Sequence, residues 1–191
     1  GSFSESKSTN SIDVIDPATE DRLGQIPETT QAEMENVIAS ANKAQKVWNA
    51  KSALDRSHVL HEVANKIAEM GPLFAEALTR EMGKPYKDAL TELDDLAEYL
   101  EYYSELARDQ VGRIVAPVDQ RSMSLVRYEP YGVVGCIIPW NYPLSLMGWK
   151  LAPALAAGNT IIMKPSEVTS LSILHWAELA GGAMPSGVMN V

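Results

Sequence analysis

The chain has 191 residues, of which 46% are hydrophobic, and it carries a formal net charge of −9. That length and apolar content can bury the core of one large domain, whereas the negative charge argues against nucleic acid and anionic membranes as partners. The apolar runs are too short to cross a bilayer and the single cysteine allows no internal disulfide, so we expect a cytoplasmic protein.

The chain opens with a polar segment and a turn, and helical patterns follow. Asp16-Pro17-Ala18-Thr19 is typical of a turn and has short apolar stretches on either side. Thr30 and Glu33 form a possible capping box, so a first helix is expected to begin there. Its inward face would carry the apolar residues Met34, Val37, Ile38, Ala41 and Trp48.

Three further helices are predicted before residue 110. The second begins at Ser52 and ends near residue 70, because the Gly71-Pro72 pair is a stop signal. The third spans about Pro72–Met82 and stops at Gly83. The fourth, about Tyr86–Asp109, has one apolar stripe and acidic residues elsewhere, which predicts a solvated surface helix. No catalytic constellation occurs in this helical part.

Strand patterns begin after residue 111. Two stretches rich in β-branched or alternating residues, Arg113–Val118 and Ser122–Tyr128, predict a β-hairpin. A β-α-β-α-β unit follows, with the elements Val133–Ile138, Leu144–Ala157, Thr160–Met163, Val168–Ala180 and Val188–Val191. Its first strand is apolar at every position, as expected when helices cover both faces. The predicted fold class is α/β, with the first half of a doubly wound, Rossmann-like parallel sheet.

The segment Pro139-Trp140-Asn141-Tyr142-Pro143 follows the first strand of that unit. Polar groups in this position lie at the carboxyl edge of the sheet, where open α/β folds bind ligands. The Asn141 amide suits an oxyanion, because it donates a hydrogen bond without forming a salt with a nucleophile. Pro139 and Pro143 would stiffen the turn. The alternative interpretation is a proline-bounded turn around a core tryptophan.

A second polar segment, Lys164-Pro165-Ser166-Glu167, follows the next strand. An ammonium group and a carboxylate can clamp a ribose diol, since the diol both donates and accepts hydrogen bonds. The alternative is a solvated Lys-Glu pair at a helix start, where Ser166 and Glu167 also suit the helix dipole. An acidic Glu167 would repel a 2′-phosphate, which favours NAD while leaving NADP possible.

Two other groups of reactive residues are expected to be structural. Cys136 lies inside the apolar strand, where cysteine behaves as a small hydrophobe and a poor thiolate. His58 and His61 can share a helix face, but no third ligand stands near them in the sequence. We therefore assign no nucleophile and no metal site within the chain.

Together, the two polar segments resemble those of the aldehyde dehydrogenase superfamily. The separation of Asn141 and Lys164 (164 − 141 = 23 residues) fits that family. Four more segments resemble it in order and spacing, so the resemblance covers nearly the whole chain. They are Asp16–Thr19, Glu81–Pro85, Glu129–Val133 and Leu151–Thr160.

The resemblance implies a role for each motif. The family equivalent of Asn141 stabilises an oxyanion, and the equivalents of Lys164 and Glu167 hold the adenosine ribose of NAD. The implied cofactor site is Ile138, Pro139, Trp140, Asn141, Lys164, Ser166 and Glu167. The resemblance places the nucleophilic cysteine and the general-base glutamate downstream of Val191. Oxidation of a small aldehyde to a carboxylic acid, through a thiohemiacetal, would need those residues.

The resemblance also implies a division of the chain and a longer parent. Residues 1–111 would be the helical lead-in of the cofactor domain, 112–130 a β-hairpin of the oligomerisation element, and 131–191 the first half of the NAD-binding domain, with the catalytic domain absent. The parent is expected to be a homodimer or homotetramer, and Gly1-Ser2 could be a cleavage scar. A naturally short, non-catalytic relative and an unrelated nucleotide-binding domain are the alternative hypotheses.

Overall fold

The computed structural model describes residues 3–109 and 112–191. The proposed cleavage scar at Gly1-Ser2 and the last two residues of the predicted lead-in, 110–111, lie outside the described residues. The elements in chain order are β1 Ser11–Ile15, β2 Arg22–Pro27, α1 Gln31–Ala50, α2 Ala53–Met82, α3 Tyr86–Leu106, β3 Arg113–Val115, β4 Ser124–Val126, β5 Val133–Ile137, α4 Pro143–Ala156, β6 Thr160–Lys164, α5 Ser170–Gly181 and β7 Met189–Asn190.

Local sequence signals account for the first elements. β1 and β2 form an antiparallel hairpin around the predicted turn. In that turn the Asp16 carboxylate accepts a hydrogen bond from the backbone N–H of Ala18 at 2.9 Å. The Thr30–Glu33 capping box is present, and α1 begins directly behind it as predicted.

The buried face of α1 is shorter along the helix than predicted. Ala41 and Trp48 are buried, whereas Met34 and Ile38, nearer the start of the helix, are 37% and 41% exposed. The helix therefore contacts the core only through its second half. There the Trp48 indole N–H donates to the carbonyl of Leu155, the second-last residue of α4, at 3.0 Å.

The predicted break at Pro72 is wrong, because α2 runs through that residue without interruption. The apolar stripe continues across it, with Ile67, Phe74 and Leu78 all buried. Packing of this long stripe against α3 and α5 outweighs the hydrogen bond that proline cannot donate. The helix ends at Gly83, whose φ of 76° is the left-handed cap predicted from the sequence.

The second half of the chain contains the predicted hairpin and parallel unit. β3 and β4 pair antiparallel, over shorter strands than expected. β5, β6 and β7 form a parallel sheet in that order. Both crossovers proceed in the same direction, so their right-handedness places α4 and α5 on one face. α1 contacts the start of β6, where the buried Thr160 hydroxyl donates to the Ala41 carbonyl at 3.1 Å. Towards the carboxyl ends of the strands the face opposite α4 and α5 is open, and Ile137 is 72% exposed there, so the expected burial of β5 on both faces is wrong for its last residues in this chain.

One hydrophobic core joins the helical part to the sheet. It extends from Ala44 in α1 to Val188, just before β7, and takes in α2, α3, α4 and α5. None of the helices among the described residues combines the length and the apolar character that crossing a membrane requires.

Candidate functional site

The two polar segments meet at one edge of the parallel sheet. Ile137 at the end of β5 pairs with Lys164 at the end of β6. One residue later, the Ile138 backbone N–H donates to the Lys164 carbonyl at 2.9 Å. This register brings the turn that contains Asn141 beside the loop that begins at Lys164. The edge is the carboxyl end of the strands, the position at which open α/β sheets bind ligands.

The Asn141 turn presents its polar groups to solvent. Ile138 is buried and anchors the turn, while Pro139 and Asn141 are exposed and Trp140 is 57% exposed. The interpretation of Trp140 as a core residue is therefore wrong. Pro143 occupies the first position of α4, where its fixed φ suits a helix and its missing N–H costs nothing. The turn is thus held by a buried residue on one side and a helix on the other, with Asn141 free to donate.

The second loop places two opposite charges in the open. The Lys164 ammonium donates to the Pro165 carbonyl at 2.9 Å, and the exposed Glu167 carboxylate lies 3.4 Å from the Ser166 hydroxyl. A hydrogen bond from its own backbone N–H, with help from the charge of Lys164, lowers the pKa of Glu167. Glu167 is therefore ionised at neutral pH, and the loop offers an ammonium donor beside a carboxylate acceptor.

The residues interpreted as structural lie away from this edge or in the core. Cys136 is 3% exposed, and burial raises the pKa of its thiol. His61 contacts Glu105 at 2.7 Å and Ser104 at 2.9 Å. Within residues 3–109 and 112–191, no three His, Cys, Asp or Glu side chains gather as a metal site would require.

A buried charge cluster behind the turn was not predicted from the sequence. Lys84, just after α2, contacts both carboxylate oxygens of Glu92 at 3.3 Å, and its ammonium lies 3.7 Å from the centre of the Tyr142 ring. Burial raises the pKa of Glu92 to about 7, against the lowering effect of Lys84. The expectation that the acidic residues of α3 are solvated is thus wrong for Glu92, which is 1% exposed.

The sequence contains a signal for this cluster. Glu92 adjoins the apolar stripe residues Ala89, Leu93 and Leu96, and an acidic residue at such a position needs a buried partner. Glu81 likewise follows the buried Leu78 by three positions in α2. Glu81 belongs to the segment Glu81–Pro85, and Glu92 follows that segment along the chain. The segment is one of those that carry the family resemblance, but the resemblance assigns it no role.

Comparison with known proteins yields a match over almost the entire chain. A sequence model described as "Aldehyde dehydrogenase family" matches residues 3–191. The chain is 37% identical over 200 residues to the chloroplastic betaine aldehyde dehydrogenase of Beta vulgaris, which takes in 100% of this chain and 40% of the relative.

Solved structures agree closely with the fold. The structure of PnpE in complex with nicotinamide adenine dinucleotide superimposes with a TM-score of 0.96 at 35% identity, over 100% of this chain and 39% of PnpE. An NADP dependent enzyme from E. coli gives a TM-score of 0.97 at 34% identity, over 100% of this chain and 40% of that enzyme. The chain spans about two fifths of the length of these relatives.

Proposed function

The chain belongs to the aldehyde dehydrogenase family, and from that premise we propose that it is the N-terminal part of an enzyme that oxidises an aldehyde to a carboxylic acid with NAD. The observation that carries the proposal is the meeting of the two polar segments on one sheet edge, through the bond from Ile138 to Lys164. This places a candidate oxyanion donor beside a candidate cofactor loop.

The side chains at the edge fit a dinucleotide. A ribose diol needs both a donor and an acceptor, and the exposed Lys164 ammonium and ionised Glu167 carboxylate supply them. We assign the adenosine ribose to this pair, with Ser166 between them. The negative charge of Glu167 disfavours a 2′-phosphate, so NAD is preferred over NADP. The nicotinamide side is assigned to the turn residues Ile138, Pro139, Trp140 and Asn141.

The proposed role of Asn141 is to stabilise negative charge on the substrate oxygen. Its exposed amide sits on a turn anchored by Ile138 and α4, so little reorganisation is needed when charge develops. The bound dinucleotide would supply the hydride acceptor. Cys136, the chain's single cysteine, is buried and has a raised pKa, so a cysteine elsewhere in a longer protein would supply the nucleophile.

We also propose how the longer protein assembles, how this chain is divided and where the protein is located. The hairpin of β3 and β4 exposes Ile114 and Leu125, which pair with each other, by 77% and 64%. Apolar surface of this kind suits an oligomerisation element at 112–130 in a homodimer or homotetramer. The helical lead-in 1–111 and the first half of the NAD-binding domain at 131–191 flank it. A free, buried cysteine is consistent with a cytoplasmic protein.

The decisive experiment replaces Asn141 with Ala in the longer protein. Loss of one oxyanion donor should lower kcat by on the order of a hundredfold or more, while the Kd for NAD stays within about twofold. Steady-state kinetics and calorimetric titration with NAD would measure the two quantities. A variant with normal kcat and a raised KM for NAD would remove Asn141 from the oxyanion role.

A further inference from the structure

The two helices that follow the site segments lack caps of their own. α4 begins after Tyr142 and α5 after Thr169, and neither residue makes a side-chain capping bond. The Thr169 hydroxyl is buried without a partner. The first backbone N–H groups of a helix have no partner within it, so these two helix starts depend on groups from elsewhere in the fold.

Glu81, in the last turn of α2, caps α5. Its carboxylate accepts from the backbone N–H groups of Leu171 at 2.8 Å and Ser172 at 3.1 Å, and from the Ser172 hydroxyl. These are the second and third residues of α5, the positions that a capping side chain normally serves. Glu81 is 3% exposed, and burial raises its pKa to about 7, against the lowering effect of these hydrogen bonds. The start of α5 is thus tied to α2.

Glu92 and Lys84 contact the start of α4 through side chains rather than through a set of backbone bonds. The Glu92 carboxylate on α3 faces the start of α4, where the backbone N–H of Leu144, the second residue of that helix, lowers the pKa of Glu92. The ammonium of Lys84 lies between that carboxylate and the face of the Tyr142 ring. Asp95, one turn further along α3, accepts from the Ser145 hydroxyl at 3.0 Å. Tyr142, the residue directly after Asn141, thus contacts Lys84, which in turn is bound by Glu92 on α3.

The turn at Gly83 separates the two capping groups. Its left-handed conformation ends α2 between Glu81 and Lys84, so the two side chains reach different helices. A Cβ at position 83 would lie 3.0 Å from the Pro17 side chain. A residue other than glycine would also have to adopt a positive φ, which is unfavourable for it. The short segment from Glu81 to Lys84 thus contacts the starts of both helices.

We infer that Glu81 and the Lys84–Glu92 pair are positioning residues for two different parts of the proposed site. Glu81 holds the start of α5 and thereby the loop Lys164–Glu167, which is assigned to the cofactor. The Lys84–Glu92 pair holds the start of α4 and thereby Asn141, which is assigned to the oxyanion. This inference rests on the proposed function. It separates cofactor binding from catalysis, because each cap acts on one loop.

Two sets of variants of the longer protein test this separation. Glu81→Leu removes the acceptors from α5, so the Kd for NAD, measured by calorimetry, should rise about tenfold or more while kcat at saturating NAD stays within about twofold. The double variant Lys84→Met/Glu92→Leu removes the ion pair without leaving a buried charge. It should lower kcat about tenfold or more and leave the Kd for NAD within about twofold.

Conservative and matched variants control for folding. Glu81→Gln keeps one acceptor and should restore most of the NAD affinity that Glu81→Leu loses. Its counterpart for kcat is Lys84→Met/Glu92→Gln, which keeps an acceptor at position 92 and leaves no unpaired buried charge. Glu69→Leu changes an exposed residue of α2 in the same way and should alter neither quantity. If a Leu variant does not fold, the Gln variants should show the same crossed pattern, with a raised Kd for NAD at position 81 and a lowered kcat at position 92, but with smaller changes.

Parallel loss of kcat and NAD affinity in both sets, or values equal to those of Glu69→Leu, would overturn the positioning role. Asn141→Ala and Lys164→Met, measured in the same assays, distinguish this from a failure of the proposed function. If those two variants leave kcat and Kd unchanged, the proposed function is wrong. If they behave as expected while the crossed pattern is absent, only the inference about Glu81, Lys84 and Glu92 is wrong.

Discussion

At the scale of single residues, the surroundings of each titratable side chain determine what it can bind. Glu167 is exposed and its pKa is lowered, so it offers a full negative charge at the sheet edge. Cys136 is buried three residues before Pro139, and its pKa is raised. Both are near the proposed site, yet only Glu167 combines charge with access to solvent.

Replacing Glu167 with Gln should weaken NAD binding and raise the relative use of NADP. Removal of the carboxylate relieves its repulsion of a 2′-phosphate, so the ratio of kcat/KM for NADP to that for NAD should rise roughly fivefold. Kinetics with both cofactors would measure it. Glu178→Gln, an exposed change on α5, is the control. An unchanged ratio would remove Glu167 from the ribose site.

Cys136→Ala should leave the activity of the longer protein near normal. The thiol packs as a small apolar group, so its removal should cost about 1 kcal/mol of unfolding free energy or less. Cys136→Ser should cost more, because it buries a hydroxyl that needs a partner. Kinetics and thermal unfolding would test both. A folded but inactive Cys136→Ala protein would show that the nucleophile is Cys136.

At the scale of elements, close helix contacts hold the site in place. α4 follows the Asn141 turn and packs on α3 through Gly148. A Cβ at Gly148 would lie 2.9 Å from Leu96 Cδ1 and 3.0 Å from Tyr99 Cδ2. Leu96 is fully buried, so it has little room to move. The contact therefore needs a glycine for space rather than for backbone conformation.

Gly148→Ala should destabilise the protein by about 1 to 3 kcal/mol through overpacking at the α3–α4 contact. Gly182→Ala is the matched control, since the backbone at the end of α5 is helical there and a Cβ would meet only the Leu179 carbonyl oxygen, at an ordinary contact distance of 3.7 Å. That change should be neutral or slightly stabilising, because alanine favours helix. Denaturant unfolding of both variants measures the difference. Equal stability of the two would mean that α3 and α4 approach less closely.

At the scale of the whole molecule, the core is continuous, while the hairpin and the carboxyl end of one sheet face are exposed. Helices α1 to α5 and the sheet share one cluster of buried residues. On the open side Ile137 is 72% exposed, and Val118 and Met123, in the loop between β3 and β4, are 97% and 77% exposed. Apolar surface of this extent favours association.

The 191-residue chain alone should not oxidise aldehydes and should associate in solution. It has a candidate oxyanion donor and part of a cofactor site, and its one cysteine is buried. Assays of NADH formation with several aldehydes test the lack of activity, and size-exclusion chromatography tests association. Both use a sample whose mass has been verified. NADH formation by this sample would contradict the proposed function. An inactive, monodisperse monomer that melts cooperatively would favour the naturally short, nucleotide-binding relative.

Several features of this protein follow from sequence alone because their causes are local. The Thr30–Glu33 capping box, the Gly83 stop and the order of the β-α-β-α-β unit each depend on a few neighbouring residues. The position of the two polar segments at one sheet edge follows as well, since parallel strands end together. The proposed roles of Asn141 and Glu167 rest on that position and on the family resemblance.

Other features were decided only by the tertiary structure. α2 passes through Pro72 because distant helices pack on its apolar stripe, and Met34 and Ile38 stay exposed because α1 meets the core only with its second half. The burial of Glu81 and Glu92 depends on helix starts about 90 and 50 residues further along the chain. Local sequence specifies which residues can cap, pack or carry charge, but only long-range contacts determine which of these groups lose their water.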